Sequence, residues 1–280
     1  MQNLVKKEYK IPFILVTSLF FLWGFAHAIL DVLNKHFQDV LVITRAHSAW
    51  VQVMFYLGYF VMAIPAGLFI NKYGYRKGVV FGLLLYGIGS LLFIPGEYWM
   101  SFNFFLFSLF VIACGLVFLE TAANPYMTEL GDRETAASRL NLAQSFNPMG
   151  SLLGMYVAMN FIQARLNPMD TVERSQLSPA EFEVLKESDL SVLIAPYLII
   201  GLVILAMLFV IRAVKMPKNG DKNHNIDFIP TLKRIFKIPH YREGVIAQFF
   251  YVGAQIMCWT FVIQYGTHLF MSQGMEEKAA

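Results

Sequence analysis

Seven stretches of this 280-residue chain are long and apolar enough to cross a lipid bilayer. They cover about 11–33, 49–70, 78–94, 102–127, 142–162, 192–213 and 244–270. A spanning helix needs roughly 20 mainly apolar residues, and no soluble core accommodates seven such runs. Between them fall polar or turn-forming pieces such as Asn71-Lys72-Tyr73-Gly74-Tyr75-Arg76-Lys77. The alternation of membrane-spanning β-strands is missing from the sequence. Composition agrees: 57% of residues are hydrophobic and 15% charged, against about 25% charged in a soluble domain. A cytosolic enzyme, a disordered chain and a disulfide scaffold are excluded, since Cys114 and Cys258 both sit in apolar runs. The expectation is an all-α polytopic membrane protein.

Orientation follows from the flanking lysines and arginines. Lys6, Lys7 and Lys10 precede a long first span without a small-residue cleavage site, which reads as an uncleaved helix. With the N-terminus in the cytoplasm, 16 of the 22 basic residues lie inside. The 163–190 loop is acidic and falls outside. The chain is therefore expected in a bacterial-type inner membrane, multi-pass, with its N-terminus cytoplasmic.

Two loops carry structure of their own. Ser178-Pro179-Ala180-Glu181 is a capping box with proline at the first helical position, predicting a short external helix over 179–188. Inside, Ile229, Leu232, Ile235 and Phe236 alternate with Lys233, Arg234 and Lys237, which suits a helix lying on an anionic membrane surface. This divides the chain into a six-span bundle (1–213), a basic cytoplasmic linker with an interfacial helix (214–243), and a seventh span with the start of the next loop (244–280). A lone span after a six-helix unit has the form of an unfinished second half.

An ionisable group inside hydrocarbon costs about 2.5–3.5 kcal/mol on insertion scales, so it is normally kept for function. Only two carboxylates fall inside the spans, Asp31 in span 1 and Glu120 in span 4. At helical spacing, Trp23, His27, Asp31, Asn34 and Gln38 share one face, as do Glu120, Asn124 and Met127. Span 5 aligns Gln144, Asn147 and Ser151, and span 7 aligns Gln248, Tyr251, Gln255 and Trp259. Four such stripes imply a shared aqueous cavity. Carboxylates and amides pair with hydroxyl groups, while Trp and Tyr stack on the apolar face of a sugar ring. No Arg or Lys occupies a span interior, so a neutral, hydroxyl-rich solute fits better than an anion. A desolvated carboxylate that loads and unloads a proton as access alternates would couple transport to the proton gradient, with His27 one turn from Asp31 to share that proton.

Plainer readings stand beside these. Asp31 also fits an outer helix end reaching water, His27 a hydrogen-bonded packing residue, and each amide stripe interhelical glue. Gly150 and Gly154 are a small-residue packing pair. A seven-helix receptor is disfavoured by the basic N-terminus and by a span 7 without lysine. A membrane enzyme lacks any nucleophile or metal-ligand spacing.

The segment Gly67-Leu68-Phe69-Ile70-Asn71-Lys72-Tyr73-Gly74-Tyr75-Arg76-Lys77 resembles the signature loop of the major facilitator superfamily, departing at Asn71 and Tyr75. Phe118-Leu119-Glu120-Thr121-Ala122-Ala123-Asn124-Pro125, Arg139-Leu140-Asn141-Leu142-Ala143-Gln144-Ser145-Phe146-Asn147-Pro148 and Tyr251-Val252-Gly253-Ala254-Gln255 resemble the fucose and glucose/galactose permeases, which are sugar–proton symporters. So does Phe21-Leu22-Trp23-Gly24 followed by Asp31. The resemblance covers essentially all of 11–270.

That resemblance implies Asp31 as proton carrier and Glu120 as sugar ligand, with Gln144 and Asn147 on sugar-contact positions of span 5. It also implies a twelve-helix fold in two halves, of which this chain supplies the first half, the linker and helix 7, truncated before helix 8. On that expectation the partners are a monosaccharide, the lipid bilayer and a missing C-terminal half, with no nucleic acid. No cofactor is expected beyond the proton gradient. Fucose-type members carry asparagines just before the aspartate, where this chain has His27-Ala28-Ile29-Leu30. L-Fucose and glucose or galactose therefore both stay open as substrates, as does a facilitator without proton coupling.

Overall fold

The computed structural model of the chain describes residues 4–169, 171–214 and 228–272; for Asp31 and Trp259, among others, it describes the backbone only. Among the described residues every regular element is helical. After a 3-10 turn at Lys7–Tyr9 come α1 (Lys10–Leu41), α2 (Arg45–Ser48), α3 (Trp50–Tyr73), α4 (Tyr75–Leu91), α5 (Phe93–Tyr98) and α6 (Phe102–Glu129). A second 3-10 turn (Arg133–Thr135) leads to α7 (Ala136–Gln144), α8 (Phe146–Val157) and a π-helical turn over Ala158–Gln163. Then follow α9 (Thr171–Ser175), α10 (Pro179–Ala213), α11 (Phe228–Phe236) and α12 (Pro239–Ser272).

Among the described residues, five helical segments are long and apolar enough to cross a membrane: Lys7–Ile29, Ala46–Tyr73, Tyr75–Tyr98, Phe102–Glu129 and Pro179–Ala213. The fifth expected span is not one smooth helix but α7, α8 and the π turn in succession. Its break has a local cause. Pro148 has no N–H, so the Gln144 carbonyl four residues earlier loses its helical donor. The expected external helix over 179–188 also differs. It starts at Pro179, with the Glu181 N–H donating to Ser178 Oγ and the Ser178 N–H donating to Glu181 Oε2 (3.4 and 3.1 Å). It then runs unbroken into the sixth span, because no residue between Ser188 and Val192 interrupts helical bonding.

The chain divides into two compact units, residues 1–224 and 225–280. In the first, α1 packs on α8, α6 lies between α3 and α4, and α10 packs on α4. Small residues line these seams, as expected where lipid supplies no hydrophobic drive between helices. A methyl at Gly150 would overlap the backbone carbonyl of Phe21, and one at Gly24 the backbone carbonyl of Asn147, so α1 and α8 touch backbone to backbone. The Phe93 and Tyr197 rings stack at 4.2 Å and 5°, joining α5 to α10. At the acidic loop, Arg174 Nη2 meets Asp189 Oδ2 at 2.5 Å with both side chains almost fully buried.

The signature loop turns at Gly74, whose φ of +85° is a left-handed conformation that suits glycine. Its N–H closes α3 on the Ile70 carbonyl at 2.7 Å. Two residues on, Arg76 donates to the Arg212 carbonyl (2.7 Å) at the end of α10, a cation placed where a helix exposes unsatisfied carbonyls. In the second unit, α11 leaves Ile229, Leu232 and Phe236 exposed beside Lys233 and Arg234 of its last turn, and the Phe236 and Tyr241 rings meet edge-on across the turn into α12.

Candidate functional site

The polar stripes of α6 and α7 meet directly. Gln144 Nε2 donates to Asn124 Oδ1 at 3.0 Å, and Asn124 Nδ2 donates to the Glu120 carbonyl at 3.1 Å. Asn124 spends one donor on its own helix and turns its oxygen outward, so the amide pair fixes the spacing between α6 and α7. Glu120 lies one turn away, half-buried, beside Trp23 on α1. Leu19, Phe20, Trp23, Leu119, Glu120 and Ala123 enclose a cavity of about 10 Å³, no larger than one water molecule. A ligand larger than a water molecule does not fit this cavity; Gln144, by contrast, is exposed.

Asn147 and Ser151 serve the seam between α1 and α8. Asn147 Nδ2 donates to the Phe20 carbonyl (3.3 Å) and Ser151 Oγ to the Gly24 carbonyl (3.1 Å). Both are half-buried. His27 is held in an aromatic cluster. Its Nδ1 lies 3.2 Å from the Trp23 carbonyl, and because a carbonyl only accepts, that nitrogen carries the proton. Its ring meets Phe55 edge-on at 5.3 Å and Trp23 at 5.8 Å. The backbone of Asp31 continues α1 one turn beyond His27, while its side chain lies outside the described residues. In the second unit, Tyr251 is exposed and Gln255 half-buried on one face of α12, and the Trp259 side chain lies outside the described residues.

Two features have no counterpart in the polar stripes read from sequence. Tyr59 on α3 reaches the Trp23 side of the cluster, with its ring 5.5 Å from Phe55. The signal for it is the four-residue spacing of Phe55 and Tyr59, which an aromatic-rich run (Phe55-Tyr56-Leu57-Gly58-Tyr59-Phe60) conceals. The other is Arg139, fully buried at the end of α6. Its guanidinium donates to the carbonyls of Met127 (3.3 Å), Thr128 (2.7 Å), Asp132 (3.0 Å) and Leu4 (3.3 Å), and to Thr135 Oγ1 (2.5 Å). Lys6 pairs with Asp132 at 3.1 Å, so the segment before α1 is tied twice to the loop after α6. That pairing, a hydrogen bond and an opposite charge, holds the Lys6 ammonium above the usual lysine range.

The family profile of the Major Facilitator Superfamily matches residues 13–277. The chain belongs to the Major Facilitator Superfamily. Within it, this chain is 44% identical over 273 residues to an L-fucose-proton symporter of Haemophilus influenzae, covering 95% of this chain and 64% of that one. It is 38% identical over 263 residues to the L-fucose-proton symporter of Escherichia coli (92% and 60% covered). A glucose/galactose transporter of Brucella abortus is 31% identical over 263 residues (93% and 59% covered). The crystal structure of the E. coli fucose:proton symporter superposes with a TM-score of 0.80 at 37% identity, over 92% of this chain and 63% of that one. The helical major facilitator fold expected from sequence is the fold observed. These relatives are transporters rather than enzymes. This superfamily member spans 64% of the length of the Haemophilus protein it matches.

Proposed function

We propose that this superfamily member takes part in secondary active transport of a neutral monosaccharide by proton symport with alternating access, L-fucose first and glucose or galactose next. The observation that carries the reading is the joined set Glu120, Asn124 and Gln144 beside the Trp23 ring, among largely apolar helices. Amides and a carboxylate supply donors and acceptors to sugar hydroxyls, and the indole offers a face to the ring. Relatives named as L-fucose-proton symporters support the choice of sugar and of coupling ion. In this reading Glu120 and Gln144 contact the sugar, with Asn124 holding Gln144, and Trp23 stacks on the ring. Asn147 sets the wall of the site from the α1–α8 seam. On α12, Tyr251, Gln255 and Trp259 carry the same sugar-compatible chemistry. Asp31 carries the proton, with His27 shaping its approach. The N-terminus lies in the cytoplasm, as the basic residues Lys72, Arg76, Lys77, Arg133 and Arg139 favour.

The test is sugar-induced alkalinisation and radiolabelled sugar uptake in cells or vesicles carrying the protein, with Asp31→Asn and Glu120→Gln. Symport expects concentrative uptake that Asp31→Asn abolishes while sugar exchange survives, and Glu120→Gln weakens sugar binding. Concentrative uptake left intact by Asp31→Asn would remove the proton role. Uptake without any pH change would make the protein a facilitator.

A further inference from the structure

Two polar atoms beside the proposed sugar site are buried without a hydrogen-bond partner among the described residues: the Trp23 indole Nε1 and the Tyr59 hydroxyl. They are neighbours and interact, yet the pair falls short of hydrogen-bond geometry. Tyr59 also lies within electrostatic reach of Glu120. Trp23 and Glu120 border the same single-water cavity. Buried donors without acceptors are costly, and lipid offers no remedy, so a pair left open next to a binding site is a pair whose partner arrives with function.

Donor and acceptor chemistry fixes the order of any connection. An indole N–H only donates, an ionised carboxylate only accepts, and a phenol does both. A chain that passes through Tyr59 runs from Trp23 Nε1–H to the Tyr59 oxygen, and from the Tyr59 O–H to the Glu120 carboxylate.

We propose that Tyr59 is a positioning residue for the sugar site: on ligand binding it closes a Trp23–Tyr59–Glu120 hydrogen-bond chain that aligns the indole face and the carboxylate together. The chain links α1, α3 and α6 through one side chain and makes α3, which carries no stripe of amides or carboxylates, part of the binding machinery. The ring itself is held by packing against Phe55 and His27, so its hydroxyl swings little when it is recruited. This inference rests on the sugar reading of Glu120, and its test separates the two.

Purified protein, Tyr59→Phe, Trp23→Phe and Glu120→Gln are compared by equilibrium binding of L-fucose, D-glucose and D-galactose. Ultraviolet resonance Raman difference spectra against Trp23→Phe isolate the Trp23 indole. Tyr59→Phe keeps the ring and its packing. It is expected to weaken sugar binding about tenfold or more, as for a lost hydrogen bond to a charged group, while thermal stability holds. The Trp23 N–H band is expected to move to its hydrogen-bonded position when sugar binds, and to stay unbonded in Tyr59→Phe. Unchanged affinity in Tyr59→Phe, or a Trp23 band that responds to sugar equally in both proteins, overturns the inference. If the unmodified protein binds none of the sugars, the proposed function falls. The inference falls with it, whereas sugar binding that Tyr59→Phe leaves unchanged overturns the inference alone.

Discussion

Gln144 and Asn124 stand 20 residues apart in sequence and share one hydrogen bond of 3.0 Å, the only side-chain to side-chain bond described between α6 and α7. Because Pro148 frees the Gln144 carbonyl, the helix carrying this amide bends at the residue that contacts its neighbour. Position and break coincide, so a change at either residue alters both spacing and binding chemistry. Gln144→Leu is expected to remove the bond at about 0.5–1.5 kcal/mol of stability and to weaken sugar binding. Asn124→Leu in the same background should add less than it does alone, and a double-mutant cycle read by thermal unfolding and equilibrium binding checks this.

The seam of α1 and α8 predicts a sharp contrast between glycines. Gly150→Ala forces a methyl into the Phe21 backbone and is expected to cost about 1–3 kcal/mol as an overpacked site. Gly67→Ala meets nothing within 4 Å in α3 and should be neutral or stabilising by up to about 1 kcal/mol. Thermal unfolding in detergent, run side by side, measures both. Equal effects would mean that the two helices are not in backbone contact.

Arg139 is held almost wholly by carbonyls, so its replacement leaves helix-end acceptors bare. Arg139→Met is expected to lose at least about 1.5–3 kcal/mol, the range for a hydrogen bond to a charged group. Arg139→Lys should recover little, since one ammonium cannot reach acceptors spread around a planar fork. Hydrogen exchange over residues 127–135 reports the loss locally.

At the opposite loop, Asp189→Asn leaves the buried Arg174 guanidinium without its counter-charge. Removing one partner of a buried pair costs about 3–5 kcal/mol, so this single change should lower the unfolding temperature more than any surface carboxylate change. Glu183→Gln, at an exposed carboxylate 3.9 Å from the half-buried Lys186, is the control and should stay within about 1 kcal/mol.

Lys6 gives a prediction with a definite sign. Asp132 raises its affinity for the proton in the folded protein. The contact is therefore fully present below the ordinary lysine value of 10.5 and is lost as pH rises through the higher folded value. Acylation of the Lys6 amine should be slower than in Asp132→Asn at pH 9, with the two rates converging in strong alkali. Equal rates at pH 9 would show the pair to be open in solution.

Local chemistry was legible in the sequence and distant pairing was not. The Ser178–Glu181 capping box could be read because its partners are three residues apart, and the helix starts where it says. The continuation of that helix into the sixth span was missed because the cap marks a beginning and carries no stop. The amide stripes were visible at helical spacing, but which stripe faces which depends on how α6 and α7 pack. Their division into an exposed Gln144 bonded to Asn124 and a seam-binding Asn147 follows from the same packing. Arg139 looked like one more loop cation, since backbone carbonyls have no sequence signature. Tyr59 was concealed by aromatic neighbours that dissolve equally well in lipid.

The touching backbones of α1 and α8 also bear on how such a bundle moves. Where a carbonyl of one helix fills the place of a missing side chain on the other, no interdigitated layer remains to slide or ratchet. The two helices act mechanically as one beam carrying Trp23 on one strut and Asn147 on the other. Bending of such a bundle therefore falls to joints beyond the beam, of which the break beside Gln144 is the nearest.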